Sequence, residues 1–528
     1  MPNSPQESLA NVAYPADSRR GFLPLFLFLG FFVTFHLWFI AIGHFNLAPD
    51  EAHYWSWSKR LDWSYYSKGP MVAYLIAAST RLGGDTEFFV RLPTVLLSAG
   101  TALLTFLLAD RVCRSKRAGL EAVLLLAAMP LAEAGSILMT IDAPLIFFWS
   151  LTLLLVHRAL STDGNAWWFL AGIGLGLGLL SKYTMAVMIP QISLYLALSR
   201  QHRFWIRRSG PYLALGIGLL LFIPVVWWNA THGLISLRHL LGQLGGGKTL
   251  VAPLKSLGQF VGSQALVATP VVFILLLIGI WDAGRAVLAR NGDDTSCFLF
   301  CASVPLFVVC LIISLWTKVQ ANWGAPVYVA ATIAAVRWGS RQAPNVTPAS
   351  RRWHSRPLFA AALTTGFLIS AIGHFPQSLA SVGLPLPRDL DPTKRLRGWT
   401  ELGGQVGEIY QEMRRSRPTF VFSDQYQIAS DMMFYVPAHP KTYSIQLGRR
   451  MNQFDVWGGT EEVLGWDAIF VTGRTEGLPL EVLRSFESVV RERPHRLSNI
   501  DQSAALHSWS IFRCYGFRGF PPIQQPEY

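Results

Sequence analysis

Apolar runs recur along this chain of 528 residues, many close to the ~20 residues a helix needs to cross a bilayer, with short basic clusters between them. That alternation constrains the fold more than any other feature. Inside a bilayer every backbone polar group must be satisfied within its own segment, so such runs are helices. Hydrophobic residues make up 51% of the chain and charged residues only 15%, which excludes an ordinary soluble domain. The net charge of +13 would elsewhere suggest a nucleic-acid partner. Here the basic residues sit in short loops between apolar spans, as the positive-inside rule predicts. Nucleic acid is therefore excluded as a partner, and membrane lipid is implied.

The first run, Gly21 to Ile42, follows Arg19 and Arg20, and its downstream flank GHFNLAPDE is not a small-residue cleavage site. It is read as an uncleaved span, with residues 1–20 as a cytoplasmic N-terminal tail. Further spans are expected near 90–109, 119–134, 143–160, 166–181, 183–199, 211–228, 258–280, 298–316, 324–338 and 357–373, about eleven in all. The basic loops 111–117, 200–208 and 341–356 share the cytoplasmic side only if Pro70 to Leu82 does not cross. At ~1.5 Å per residue that segment is too short to span, so a juxtamembrane helix is expected there. The parity then places four regions on the opposite side: the loop 43–89, the turns around Asp142 and Lys182, and everything after Gly373.

The expected architecture is an α-helical polytopic membrane body, 21–373, followed by a small extracytoplasmic α/β domain, 374–528. In the latter, TFVF (419–422), WDAIFVTG (466–473) and SWSIFRCY (508–515) read as strands, and 401–415 and 425–435 as helices. The five cysteines offer neither a disulfide framework nor a CxxC pair for zinc.

The loop after the first span, LAPDEAHYWSWSKRLDWSYYSKGP, is dense in charge and aromatics. Asp50 and Glu51 suit a general base or an acceptor-positioning carboxylate; they equally suit the first turn of a helix begun at Pro49. Lys68 suits a lipid phosphate at headgroup depth, or simple snorkelling. Arg91 lies on the side where positive charge is disfavoured, which points to an anion or again to snorkelling. Asp142, in TIDAP, is an ionisable residue at a span start, either functional or a cap. Lys182 and Tyr183 follow the glycine-rich span AGIGLGLGLL, whose glycines suit close helix packing. Tyr54, Tyr66 and Tyr183 are assigned to substrate binding. Trp227, Trp228, Lys318, Asn322 and Trp323 end later spans on the same side and read as an aromatic belt. Asn229-Ala230-Thr231 fits a glycosylation sequon, and GQLGGGK (242–248) reads as a flexible loop. In the tail, Asp424, Tyr426, Asp431, Arg449, Arg450 and Asn452 could bind a sugar or acceptor, or form ordinary surface polarity. Asp50, Glu51 and His53 could hold a divalent ion but form no closed ligand set; no other cofactor is implied.

PDEAHYW, SKGP, RLP, TIDAP and LLSKYT, in this order, resemble the lipid-linked-sugar glycosyltransferases of the GT-C superfamily. The bacterial branch of protein O-mannosyltransferase-like family 39 is nearest in appearance, a group that includes the aminoarabinose transferases of lipid A. The resemblance implies that Asp50 is the catalytic carboxylate of the first extracytoplasmic loop, with Glu51 its neighbour and Asp142 the aspartate of a second such loop. It implies that Lys68, in Lys68-Gly69-Pro70 where lysine-proline-proline is usual, meets the donor phosphate, with Lys182 nearby. The implied donor is a polyprenyl-phosphate sugar, and the acceptor a glycolipid such as lipid A, a polysaccharide or a protein. The implied reaction is inversion at the anomeric carbon. The implied place is the bacterial inner membrane, with the site and tail facing the periplasm. A transporter or lipid flippase is the alternative; it predicts mid-membrane charges and inverted repeats.

Overall fold

The computed structural model describes residues 22–243, 253–289, 293–341, 356–492 and 509–521, apart from 382, 385, 386, 388–390, 392, 449, 475 and 476. The expected N-terminal tail, the glycine run beyond residue 243, most of the basic loop 341–356, and Arg449 lie outside the described residues.

The membrane body runs α1 (Leu23–Ala41), α2 (Pro49–Ser58), α3 (Met71–Gly83), α4 (Glu87–Cys113), α5 (Lys116–Ala127), α6 (Pro130–Ile137), α7 (Asp142–Thr162) and α8 (Asn165–Ser181). It continues with α9 (Met188–Leu198), α10 (Ser209–Thr231), α11 (Ile235–Gln243), α12 (Pro253–Ala268), α13 (Pro270–Leu288), α14 (Asp294–Ser314), α15 (Val327–Arg341) and α16 (Arg356–His374). Seven of these are long and apolar enough to cross a membrane, and the bent pair α5–α6 makes up to eight. The chain is a multi-span membrane protein.

Two of the expected spans are broken, and in both a proline sets the break. The run 119–134 bends by 77° between α5 and α6, where Pro130 opens the second helix and Met129 before it is extended. The run 258–280 divides at Thr269, whose φ is +70°, with Pro270 as the next residue. The segment expected to stay at the membrane surface is α3, whose 13 residues fall short of a span.

The glycines of α8 allow close approach on two sides. A Cβ at Gly172 would lie 2.6 Å from the Ala214 carbonyl of α10, and one at Gly174 would lie 2.7 Å from the Thr152 hydroxyl of α7. α8 is thereby wedged between α7 and α10, and its end carries Lys182 into the same region as the α7 start at Asp142.

After the short α17 (Gln377–Ser381), the tail folds as α18 (Trp399–Arg414), β1 (Thr419–Ser423), α19 (Tyr426–Tyr435), β2 (Thr442–Ser444), β3 (Asp467–Thr472), β4 (Phe486–Arg491) and β5 (Ser510–Phe517). The sheet order is β2-β1-β3-β5-β4. The first three strands are parallel, and β5 is antiparallel to both its neighbours. Strands β2 and β4 escape the sequence reading: one is three residues long, and the other is an edge strand with a largely exposed face.

The tail packs on the first loop through α19 and α2. Phe434 meets the Trp55 ring edge-on with centroids 4.9 Å apart, His53 Nδ1 lies 3.0 Å from the Ser430 hydroxyl, and the Leu47 N–H donates to the Tyr435 hydroxyl at 2.6 Å. The sheet domain is thus docked against the loop that carries Asp50.

Candidate active site

A cavity of about 300 Å³ lies where the α2 start, the Lys68 loop, the α7 start, the α8 end and the segment between α14 and α15 meet. Its walls carry two carboxylates, Asp50 and Asp142, and four cations, Lys68, Lys182, Lys318 and Arg450.

Asp50 and Glu51 are adjacent in sequence but face opposite ways. Glu51 Oε2 accepts the Ala48 N–H at 2.8 Å, which caps the start of α2. Its other partners are the Arg91 guanidinium, at 3.0 and 2.8 Å, and the Met139 N–H at 2.9 Å. Glu51 is fully buried with every contact inward. Asp50 instead points into the cavity, where its one hydrogen-bond contact among the described residues is a long one, 3.5 Å, from the Tyr426 hydroxyl of the tail. Asp50 stays exposed to the water of the cavity, yet the protein packed around its carboxyl raises it above the ordinary range, against the opposing pull of Arg395 and Lys68.

Asp142 is held on both oxygens. Lys182 Nζ donates to Oδ1 at 2.6 Å, and Asn322 Nδ2 to Oδ2 at 2.6 Å. The Lys68 ammonium has no hydrogen-bond partner among the described residues. Burial, reinforced by the charge of Lys182, lowers Lys68 to about 8. Gly69 explains how two lysines come so close. A Cβ there would lie 2.1 Å from the Leu180 carbonyl, so the Lys68 loop rests directly on the end of α8, two residues before Lys182.

A second, apolar cavity of about 260 Å³ runs beside α1, α4, α5 and α6. It shares Thr140, Asp142 and Asn322 with the polar cavity. A charged chamber therefore adjoins a greasy one at Asp142.

Residues 67–228 match the protein family described as dolichyl-phosphate-mannose-protein mannosyltransferase. The lipid A galacturonosyltransferase RgtD of Rhizobium johnstonii is 29% identical over 306 residues, or 57% of this chain and 63% of RgtD. The undecaprenyl phosphate-alpha-4-amino-4-deoxy-L-arabinose arabinosyl transferase of Pseudomonas paraeruginosa is 29% identical over 227 residues, or 38% of this chain and 40% of that protein. The chain thus spans less than two thirds of the length of these relatives. ArnT from Cupriavidus metallidurans, solved in the apo state, has the same fold, with a TM-score of 0.63 at 16% identity over 94% of this chain and 98% of ArnT. ArnT bound to undecaprenyl phosphate gives 0.60. This chain shares the fold of ArnT and is similar in sequence to lipid A glycosyltransferases.

Within that ArnT-like body, Asp50, Tyr54, Lys68, Asp142 and Lys182 of the expected site residues line one cavity. Four others do not. Arg91, expected to bind the donor phosphate, gives four of its five N–H groups to Glu51 and to the Phe45 and Asn46 carbonyls, which leaves it turned away from the cavity. Glu51, expected to be catalytic, is its partner. Tyr66 lies beneath the loop against His239, with its N–H on Gln453. Tyr183 is behind the wall, 3.4 Å from the Ser64 hydroxyl. Nor do Asp50, Glu51 and His53 form a metal centre: Glu51 faces Arg91, and both His53 nitrogens are engaged, by Ser430 and by the Trp57 indole.

Sequence reading placed Lys318, Asn322 and Trp323 in an aromatic belt, whereas all three line the cavity. The usable signal was parity, since their loop falls on the Asp142 side. Arg450 and Tyr426 reach the site from the tail, which no spacing in the sequence reveals. Asp424 pairs instead with Arg474, and Asn452 caps a short helix. Asp431 is fully buried, neither carboxyl oxygen is hydrogen-bonded among the described residues, and burial holds it well above the carboxylate range. The Asn229 side chain is also taken: it bonds Val225 and Ser236, so the sequon asparagine is a buried strut. Trp228 donates to Asp62 at 2.8 Å and ties α10 to the loop.

Proposed function

We propose that the chain transfers a sugar from a polyprenyl-phosphate donor to an acceptor on the extracytoplasmic, periplasmic face of a bacterial inner membrane. The observation that carries this reading is the junction of the two cavities at Asp142, cationic on one side and apolar on the other. A polyprenyl phosphate has that same division. Its phosphate is drawn to Lys68, Lys182 and Lys318, and its prenyl chain to the cavity beside α1 and α4.

In the step proposed, an acceptor hydroxyl or amine attacks the anomeric carbon from the face opposite the phosphate. The new bond forms as the carbon–oxygen bond to phosphate breaks. The bonding pair leaves on the phosphate oxygen, where the lysines stabilise it. The acceptor proton passes to Asp50, whose raised pKa suits a general base. One displacement inverts the anomeric centre. Asp142 orients Lys182 through its two-sided clamp with Asn322, and Tyr54 walls the sugar side. Docking of the tail over α2 restricts water, which favours transfer over hydrolysis.

Four cations against two carboxylates exceed the single charge of a phosphodiester. This favours a sugar bearing an acid group, such as the galacturonic acid in the name of the rhizobial relative, and lipid A as acceptor. The test is to reconstitute the protein in vesicles with lipid A and a panel of polyprenyl-phosphate sugars: galacturonic acid, aminoarabinose, mannose and glucose. Mass spectrometry reads donor loss and product gain, with Asp50→Asn alongside. Asp50-dependent conversion of the uronic acid donor supports the whole reading. Conversion of another donor keeps the reaction and overturns the sugar. No conversion of any donor by folded protein overturns the reaction.

A further inference from the structure

The membrane body buries a second group of ionisable side chains away from the cavity just described. His36 of α1, Glu133 of α6 and His374 at the end of α16 converge, with one ligand-capable atom from each lying within 4.8 Å of the others. All three are buried. Phe35 packs against both imidazoles, Phe39 against that of His374, and Phe32 against His36.

The hydrogen bonds fix the tautomers. His36 Nδ1 donates to the Phe32 carbonyl at 2.8 Å, and His374 Nδ1 to the Ser370 carbonyl at 2.7 Å. A carbonyl only accepts, so both Nδ1 atoms carry hydrogen, and each neutral ring presents a bare lone pair at Nε2. Those two Nε2 atoms face one oxygen. Glu133 Oε2 is 3.2 Å from His36 Nε2 and 3.9 Å from His374 Nε2, and the latter nitrogen has no hydrogen-bond partner among the described residues. Two lone pairs and a carboxylate oxygen converging in an apolar jacket repel unless something positive sits among them. A single proton serves the His36–Glu133 contact and leaves His374 Nε2 unpaired. A divalent cation serves all three.

We propose that His36, Glu133 and His374 bind a divalent transition-metal ion, with zinc the best match to a two-imidazole, one-carboxylate set. The backbone carbonyls on both Nδ1 atoms are the outer contacts that orient imidazole ligands. Bonds of ~2.0–2.2 Å require the three side chains to draw inward by about 1 Å, within the reach of rotamer adjustment. The fourth position falls to water or to a group entering from the apolar cavity, which Glu133 also lines. The ion would pin the exit of α16 towards the tail to α6, the helix that leads into the Asp142 turn. Its role is structural: it sets the two walls of the active site relative to each other.

The full chain, purified in nanodiscs and stripped with chelator, is given Zn²⁺ or Co²⁺ and freed of excess. Metal content is read by mass spectrometry, and Co²⁺ by its visible spectrum. The expected result is about one ion per chain in the wild type and in Asp50→Asn, and none in Glu133→Gln or His374→Gln. Zn²⁺ should raise the thermal midpoint of the wild type and not that of Glu133→Gln. If the variants do not fold, the Co²⁺ spectrum of the wild type decides: intense bands of a low-coordinate, imidazole-bound ion support the site, and the pale spectrum of hydrated Co²⁺ overturns it. Equal metal in wild type and both folded variants, or no retained metal in the wild type, also overturns it.

Discussion

Gly69→Ala tests whether the seat of the Lys68 loop on α8 is what presents the lysine to its phosphate. The added methyl would lie 2.1 Å from the Leu180 carbonyl oxygen, and contacts under 3.0 Å are essentially never tolerated. Neither atom is the end of a flexible side chain, so backbone must yield by about 1 Å. Misplacement on that scale costs on the order of 100-fold in a positioned reaction. The accompanying overpacking costs about 1–3 kcal/mol, which lowers the midpoint without unfolding a body of this size. The assay is kcat/KM for the polyprenyl-phosphate donor in vesicles, with thermal melting alongside. Gly404→Ala is the control, because that α18 glycine has open space where the methyl would go. The expected outcome is a loss of roughly two orders of magnitude in kcat/KM for Gly69→Ala and none for Gly404→Ala. Wild-type turnover in Gly69→Ala would refute the idea that close backbone contact sets the Lys68–Lys182 pair.

The remaining predictions concern charge. Lys68 is held near 8 rather than 10.5, so it is charged at neutral pH and loses its proton as the pH rises through 8. Donor kcat/KM should therefore fall between about pH 7.5 and 9, and Lys68→Arg should flatten that limb because arginine stays charged; an unchanged limb in Lys68→Arg rules Lys68 out as its source. Asp50→Asn should leave donor binding intact while turnover falls by at least about 100-fold, the ordinary contribution of a general base; near wild-type turnover removes Asp50 from that role. Arg91→Ala should strand a buried Glu51 and cost about 3–5 kcal/mol, read as loss of monodisperse protein or of melting temperature. If the protein instead stays stable and its donor KM rises, Arg91 belongs to the phosphate site after all.

The membrane body was legible because its signal is large. A run of apolar residues long enough to span admits one secondary structure. What stayed hidden was where a run breaks. Pro130 and Pro270 each stand within a continuous apolar stretch, and hydropathy averages over them. The backbone does not, since a proline removes a donor and forces its predecessor out of the helical region. In the tail, β1, β3 and β5 announced themselves through dense apolar and aromatic residues. β4, at a sheet edge, reads like a loop because Phe486 alone of its six residues is buried.

The site divides in the same way, and the division shows what an adjacent pair of residues conceals. Asp50 and Glu51 differ by one methylene and one position, and both suit a base or a cap. On a helix, neighbouring residues point about 100° apart, so one of them had to face inward. Which one was decided by Arg91, forty residues on in the next long helix, whose guanidinium fits a carboxylate edge on and matches Glu51 with two parallel bonds. The motif therefore carries two separable functions. Glu51 with Arg91 locks the loop to α4 and, through the Met139 N–H, to the segment leading into Asp142. Asp50 is left facing the cavity with one weak tether from the tail. A rigid anchor beside a loosely held carboxylate is the arrangement a general base needs, since the base must keep its place and still change its proton. It follows that Glu51→Gln and Asp50→Asn, equally conservative on paper, should separate: the first should lose stability before chemistry, and the second chemistry alone. Melting and turnover measured on both variants decide this, and equal melting temperatures with equal loss of turnover would show that the two carboxylates act together.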